Sequence, residues 1–232
     1  MTVAAIILAR DPDAALARAG GTTRLRRLVD VAWSGGAVPT VVVGRDPDGR
    51  LVAAVAGAEA AAVSDPPSPA DSVGAVLAGF DLAVGLVEAT DAVLVWPVEM
   101  AWVDPETVTS LIEAHGADPG APLRPTYGGQ PGAPILVPRP VLAAWRRLPP
   151  ATPIEDALAS VALAVRLLDL GDPGVVVDAA TPADRLPPYV GPLQPPAGHV
   201  HEWGEAVAGE VGRDPESPDP EPPVERGGRV GP

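Results

Sequence analysis

Cysteine is absent from the 232 residues, and so is lysine: all sixteen basic residues are arginine. The first absence excludes disulfides and thiolate metal sites and makes the cytosol the expected compartment. The second leaves guanidinium as the only side-chain cation, a group that does not replace ammonium at a crowded site. Aromatic residues make up only 3% of the chain, so its 47% hydrophobic content must build a core mainly from Ala, Val and Leu. No apolar run approaches the roughly 18–20 residues that cross a bilayer, and the opening residues lack the pattern of a signal peptide. A formal charge of −14 disfavours nucleic acid and anionic membranes as partners, because both would be repelled. The length suits one well-buried domain with a tail.

What is present alternates. Residues 3–9 (VAAIILA) are continuously apolar, as a strand buried on both faces requires. Asp11-Pro12-Asp13 then reads as a helix start, with Asp11 as N-cap and Pro12 at the first helical position, and Gly20-Gly21 as the stop. A second helix begins at Thr22 or Thr23, with Leu25, Leu28, Val29 and Ala32 on one face. Strands are expected at 38–43, 60–63 and 93–96, and helices at 47–56, 69–86 (capped by Ser68) and 104–115. Beyond them, 122–137 reads as two short strands around a Gly-rich turn. Helices follow near 138–147 and 154–164, strands at 165–169 and 174–177, and a last helical turn after Thr181. This order predicts an α/β fold: a three-layer, doubly wound, mostly parallel sheet over residues 1–188. Residues 189–232, acidic and rich in Pro and Gly, are expected to form a disordered tail.

The stretch DAVLVWPVEMAWVDPETVTSLIEAH is the most informative. An apolar strand ends at Trp96-Pro97, and a lone carboxylate, Glu99, follows before Asp104-Pro105-Glu106 opens a helix. An acid just past the carboxyl end of a buried strand is where open α/β sheets hold metals and nucleotides. Three further segments, DPPSPADSVGAVLAGF, PTYGGQPGAPILVPRPVLAAW and VVVDAATPADRL, stand around that stretch in the chain. Together the four resemble segments of the molybdenum-cofactor nucleotidyltransferases, the cytidylyl- and guanylyltransferases of the GT-A-like α/β fold, across roughly residues 3–186. The resemblance implies transfer of a nucleoside monophosphate from CTP or GTP with release of pyrophosphate, assisted by Mg²⁺. It implies Glu99 and Asp178 as metal ligands, and Ala9, Arg10, Arg18 and Asp65 as nucleotide contacts. It also implies a protein partner from molybdenum-cofactor maturation.

The departures cluster at the chemical positions. The family's Gly-rich phosphate loop follows the first strand, yet here Leu8-Ala9 runs into Arg10-Asp11-Pro12-Asp13 with no glycine before Gly20. Asp11 and Asp13 place carboxylates where backbone amides would meet phosphate, so the helix start reads as self-capped. Glu99 stands for the family's metal aspartate, Asp71 for a glycine, Ala75 for a serine, Ala133 for a histidine and Ala180 for the second acid of the closing motif. These changes favour a transferase fold with a degenerate phosphate loop and metal site, weak or inactive as a transferase. The alternative is a competent Mg²⁺-dependent enzyme using Glu99 and arginines.

Each candidate residue carries a plainer reading beside the functional one. Glu99 is a metal ligand or a solvated loop acid; Asp178 is a ligand or ribose contact, or the cap of the turn near Thr181. Trp96 and Trp102 stack on a base or pack the core. Gly128, Gly129 and Gly132 approach a ligand or make a hairpin turn. Asp65 contacts a sugar or base, or forms an Asp-Pro turn. His199 and His201 form a metal pair or lie in a solvated tail, and His115 complements a helix dipole.

Overall fold

The computed structural model describes residues 2–192 apart from 59, 60, 67, 68, 70 and 162. The strands and helices are β1 (Thr2–Leu8), α1 (Pro12–Leu16), β2 (Arg18–Ala19), β3 (Thr22–Thr23), α2 (Arg24–Ser34), β4 (Thr40–Val43), α3 (Arg50–Val55), β5 (Ala61–Ser64), α4 (Val73–Leu86), β6 (Thr90–Pro97), α5 (Pro105–Ala117), β7 (Leu123–Tyr127), β8 (Gln130–Pro131), β9 (Ile135–Pro138), α6 (Arg139–Trp145), α7 (Ile154–Ser160) and β10 (Arg166–Asp169). One sheet runs β10-β7-β9-β6-β1-β4-β5, with β8 paired to β7. Its centre is parallel (β6-β1-β4-β5), while β9 is antiparallel to both β6 and β7. Among the described residues no helix is long and apolar enough to cross a membrane.

The apolar runs explain the layering. Successive strand residues point to opposite faces. In β1, Val3, Ala5 and Ile7 enter one core with α2, α3 and α5, whereas Ala4, Ile6 and Leu8 enter the other with α4, α6 and α7. In β6, Ala92, Leu94 and Trp96 face the first core, and Val93 and Val95 the second. A polar residue at any of these positions would be buried on one face or the other, which is why neither strand shows polar alternation.

The capping signals are realised. Asp11 accepts the Asp13 N–H at 2.9 Å, Thr23 accepts the Arg26 N–H at 3.1 Å, and Asp104 accepts the Glu106 N–H at 2.9 Å. Other local readings are corrected. Gly20-Gly21 does not stop a helix: α1 has already ended at Leu16, and the glycines turn the β2–β3 hairpin. Residues 174–177 are not a strand, because Pro173–Val175 form a 3-10 turn capped by Asp172. The helix expected from 69 begins at Val73, and its expected cap, Ser68, lies outside the described residues. So do His199, His201 and the tail from 193 onward.

His115 departs from its dipole reading. It lies in the last turn of α5 but is only 1% exposed, and burial holds its pKa below the ordinary 6.5. The imidazole is therefore neutral near pH 7 and carries no charge to offer the dipole. The unfolded chain protonates first as pH falls, so the native state loses stability below the unfolded value of about 6.5. The denaturant midpoint followed from about pH 7.5 to 5 should fall, and His115→Gln should flatten that part of the curve. An unchanged slope would assign the effect to other groups.

Candidate active site

Leu8 of β1 pairs with both Val43 of β4 and Pro97 of β6, so three parallel strands end level with one another. Just beyond them lie Ala9, Gly44 and Glu99. Ala9 is buried and donates its N–H to the Val43 carbonyl at 2.8 Å, fixing the chain as it leaves the sheet. Only Ala9, Arg10 and Asp11 separate β1 from α1. The first turn of α1 offers little to an anion. Pro12 has no N–H, the Asp13 N–H is held by the Asp11 side chain, and the Ala15 N–H by the Asp11 carbonyl at 3.0 Å.

Arg10 reaches across the strand ends between two acids. Its Nη1 lies 3.3 Å from Asp71 Oδ2 and its Nη2 3.5 Å from Glu99 Oε1. The Glu99 charge is the main cause that raises the Arg10 pKa further above its ordinary value. The Glu99 carbonyl accepts the Ala179 N–H at 2.7 Å, which brings the Asp178 segment alongside. Asp178 turns its own Oδ1 onto the Ala180 N–H at 2.6 Å and stands 3.8 Å from Arg24 Nη2. Arg50 holds Asp13 and Arg124 holds Glu155, each at 2.9 Å. Four arginines in this part of the fold are thus already matched to acids.

The expected site residues are brought together in part. Arg10 and Glu99 meet and Ala9 lies beside them at the strand end, whereas Asp178 adjoins Glu99 only through the backbone of Ala179 and turns its carboxylate to Ala180 and Arg24. Arg18 is exposed in the β2–β3 hairpin and Asp65 is exposed after β5. Neither forms an ion pair with the Arg10 group. Trp96 is fully buried and donates its indole N–H to the Met100 carbonyl at 3.0 Å; Trp102 donates to the Thr181 carbonyl at 2.9 Å and lies under the Arg27 guanidinium, 5.0 Å from its centre. Both tryptophans pack the wall of the site and have no free polar edge. Gly128 and Gly129, at φ +57° and +79°, turn the β7–β8 hairpin, a conformation that L side chains resist.

Asp172 has no counterpart in the motif reading. It is 2% exposed and accepts three hydrogen bonds, from Asp104 N–H (2.9 Å), Thr107 O–H (2.7 Å) and Gly174 N–H (2.7 Å). Burial pushes its pKa up, against those hydrogen bonds. It pins the start of α5, and hence one end of the segment carrying Glu99. Arg27 grips the same segment by donating to the Ala101 carbonyl at 2.7 Å. Asp172-Pro173 is visible in the sequence as a cap-and-turn pair; its long-range contacts are not.

Arginines already occupy the positions that face the acids expected to hold a divalent cation. Among the described residues no group of three or more His, Asp or Glu side chains is arranged to hold a metal. A guanidinium faces each of the two expected ligands, Glu99 and Asp178, with Arg10 only 3.5 Å from the former. Beside Arg10's pair, a cleft of about 240 Å³ runs between Asp71, Pro97, Ala133 and Ile135 to Arg124 and Glu155.

A mostly parallel sheet between two layers of helices, with acids past the ends of its central strands, is the fold of nucleotidyltransferase domains. Solved structures with the same fold include Rv0371c from Mycobacterium tuberculosis H37Rv (TM-score 0.61, 16% identity, 73% of this chain and 88% of that one). They also include 2-C-methyl-D-erythritol 4-phosphate cytidylyltransferase from Thermus thermophilus (TM-score 0.56, 17% identity, 76% and 92%). A third is CMP:2-keto-3-deoxy-manno-octonic acid synthetase complexed with CTP (TM-score 0.54, 14% identity, 73% and 90%). No curated protein matches in sequence. The family profile of the MobA-like NTP transferase domain matches residues 10–166, and the chain belongs to that family.

Proposed function

We propose that this domain is a relative of the molybdenum-cofactor cytidylyl- and guanylyltransferases whose cleft no longer performs metal-assisted nucleotidyl transfer. It is retained in the cytosol as a binding or regulatory partner of a catalytically complete family member. The observation that carries this reading is the Arg10 guanidinium lying between Asp71 and Glu99 at the place expected for a cation.

The balance of signs disfavours a triphosphate here. Two unit charges about 4 Å apart, at an effective dielectric near 20, interact by roughly 4 kcal/mol in either sense, and by less where both are exposed. A polyphosphate entering past Asp11, Asp13, Asp71 and Glu99 meets that repulsion. Arg10 and Arg50 are already bound to acids of this set, so they return little to offset it.

The second reading, a competent Mg²⁺-dependent transferase using Glu99, Asp178 and arginines, has one observation in its favour: the Ala179–Glu99 hydrogen bond places the two acids on adjoining segments. Titration calorimetry with CTP and GTP in the presence of Mg²⁺ separates the two. We expect no binding at millimolar nucleotide, in the parent chain or in Glu99→Ala. Millimolar-or-tighter binding that disappears in Glu99→Ala would support the transferase reading instead.

A further inference from the structure

The opposite end of β6 carries a second cavity, of about 540 Å³, lined by Asp91, His115, Pro119, Arg139, Pro140 and Ala143. Asp91 is the second residue of β6 and Pro97 its last. At about 3.3 Å per residue the cavity therefore lies roughly 20 Å from the Arg10 group. It is a separate site, and its argument is independent of the reading of the upper cleft.

Three observations mark it. His115 is 1% exposed, yet neither ring nitrogen has a hydrogen-bond partner. Asp91 Oδ1 is also buried and unpartnered, at 3.9 Å from His115 Nε2, too far for a hydrogen bond. Buried polar atoms without partners are rare in native structures and need a reason. Arg139, at the exposed rim, makes one long bond, 3.5 Å to the Thr90 carbonyl, and has no acid partner among the described residues. The other charges near His115 are committed: Arg166 holds Asp118 at 3.1 Å and the Ala114 carbonyl at 3.1 Å. The upper cleft neutralises its arginines; the lower cavity leaves one free.

The walls fix the ligand's shape and the polar groups its chemistry. Pro119, Pro140 and Ala143 are small, stiff and apolar, so they suit the flat face of a ring. The volume falls within the range of small-molecule pockets, about 300–1,000 Å³. The inner end offers acceptors: a carboxylate oxygen, and an imidazole kept neutral by burial. The Asp91 side chain is 39% exposed although its Oδ1 is buried, so the carboxylate spans the depression from its hidden to its open side. The rim offers a guanidinium. We propose that this cavity binds an aromatic carboxylate, with a hydroxyl or amino donor on Asp91 and His115 at the inner end and the carboxylate on Arg139 at the rim.

The test uses the full chain and a fluorescent hydroxynaphthoate as probe, beside a naphthol that lacks the carboxylate and a naphthoate that lacks the hydroxyl. The hydroxynaphthoate should bind saturably, each comparator about tenfold more weakly, and the His115 imidazole resonances should shift only as the site fills. Arg139→Gln, a change at an exposed position that spares the fold, should weaken the hydroxynaphthoate about tenfold and leave the naphthol unchanged. Equal affinity for the three compounds, an Arg139→Gln chain that binds as the parent does, or no saturable binding up to about 5 mM would overturn the proposal.

Discussion

The Asp172→Ala chain is expected to be about 3–5 kcal/mol less stable than the parent, read from the urea midpoint at constant slope. The reason is the donors left behind. Asp104 N–H, Thr107 O–H and Gly174 N–H all end on this one carboxylate, which is 2% exposed. A buried donor deprived of its acceptor costs about 1–3 kcal/mol, and water entering the vacated space offsets part of the sum. Asp172→Asn should be milder yet still harmful, because its amide nitrogen must face a donor on one side. The effect should also reach the site. Asp172 holds the start of α5, so its loss should raise backbone exchange across residues 98–104 before the sheet itself opens. A change below about 1 kcal/mol, with those amides still protected, would show that α5 is anchored by packing alone.

Arg10→Ala should have the second large effect, and in the opposite sense: a gain. The parent chain is expected not to bind Mn²⁺ at millimolar concentration, whereas the variant should, because Asp71 and Glu99 lose the guanidinium that neutralises them. Two carboxylates that share one cation gain from its replacement by another, and one or two carboxylates with water suffice for a divalent ion. The side chain of Arg10 is 55% exposed, so stability should change by less than about 1 kcal/mol. A second replacement, Glu99→Ala in the Arg10→Ala chain, should abolish the new binding. Electron paramagnetic resonance of free Mn²⁺ reads all three chains directly. Equal Mn²⁺ binding by parent and variant would show that Arg10 does not stand in the cation's place.

Local chemistry in the sequence announces much of this structure. Asp11, Thr23 and Asp104 act as caps because each side chain reaches an amide only two or three residues away. The unbroken apolar runs of β1 and β6 declare burial on both faces, and that in turn places Glu99 past a strand end. The misses are of two kinds. Two-residue strands such as β2 and β3 are too short to show a period, so Gly20-Gly21 reads equally well as a helix stop. Partnerships formed only on folding leave no local trace: Arg10 meets Asp71 and Glu99 across 61 and 89 residues, and Asp172 meets Thr107 across 65. The same limit hid the burial of His115, whose position on α5 is legible but whose surroundings are assembled from β6 and α6.

The three-residue step from β1 to α1 also sets what an occupant of the strand ends would touch first. Ala9 is tied to Val43 and the Asp13 amide to Asp11, so the chain leaving the sheet has little slack there. Anything approaching from solvent therefore meets the Arg10 and Asp13 side chains before it meets the main chain.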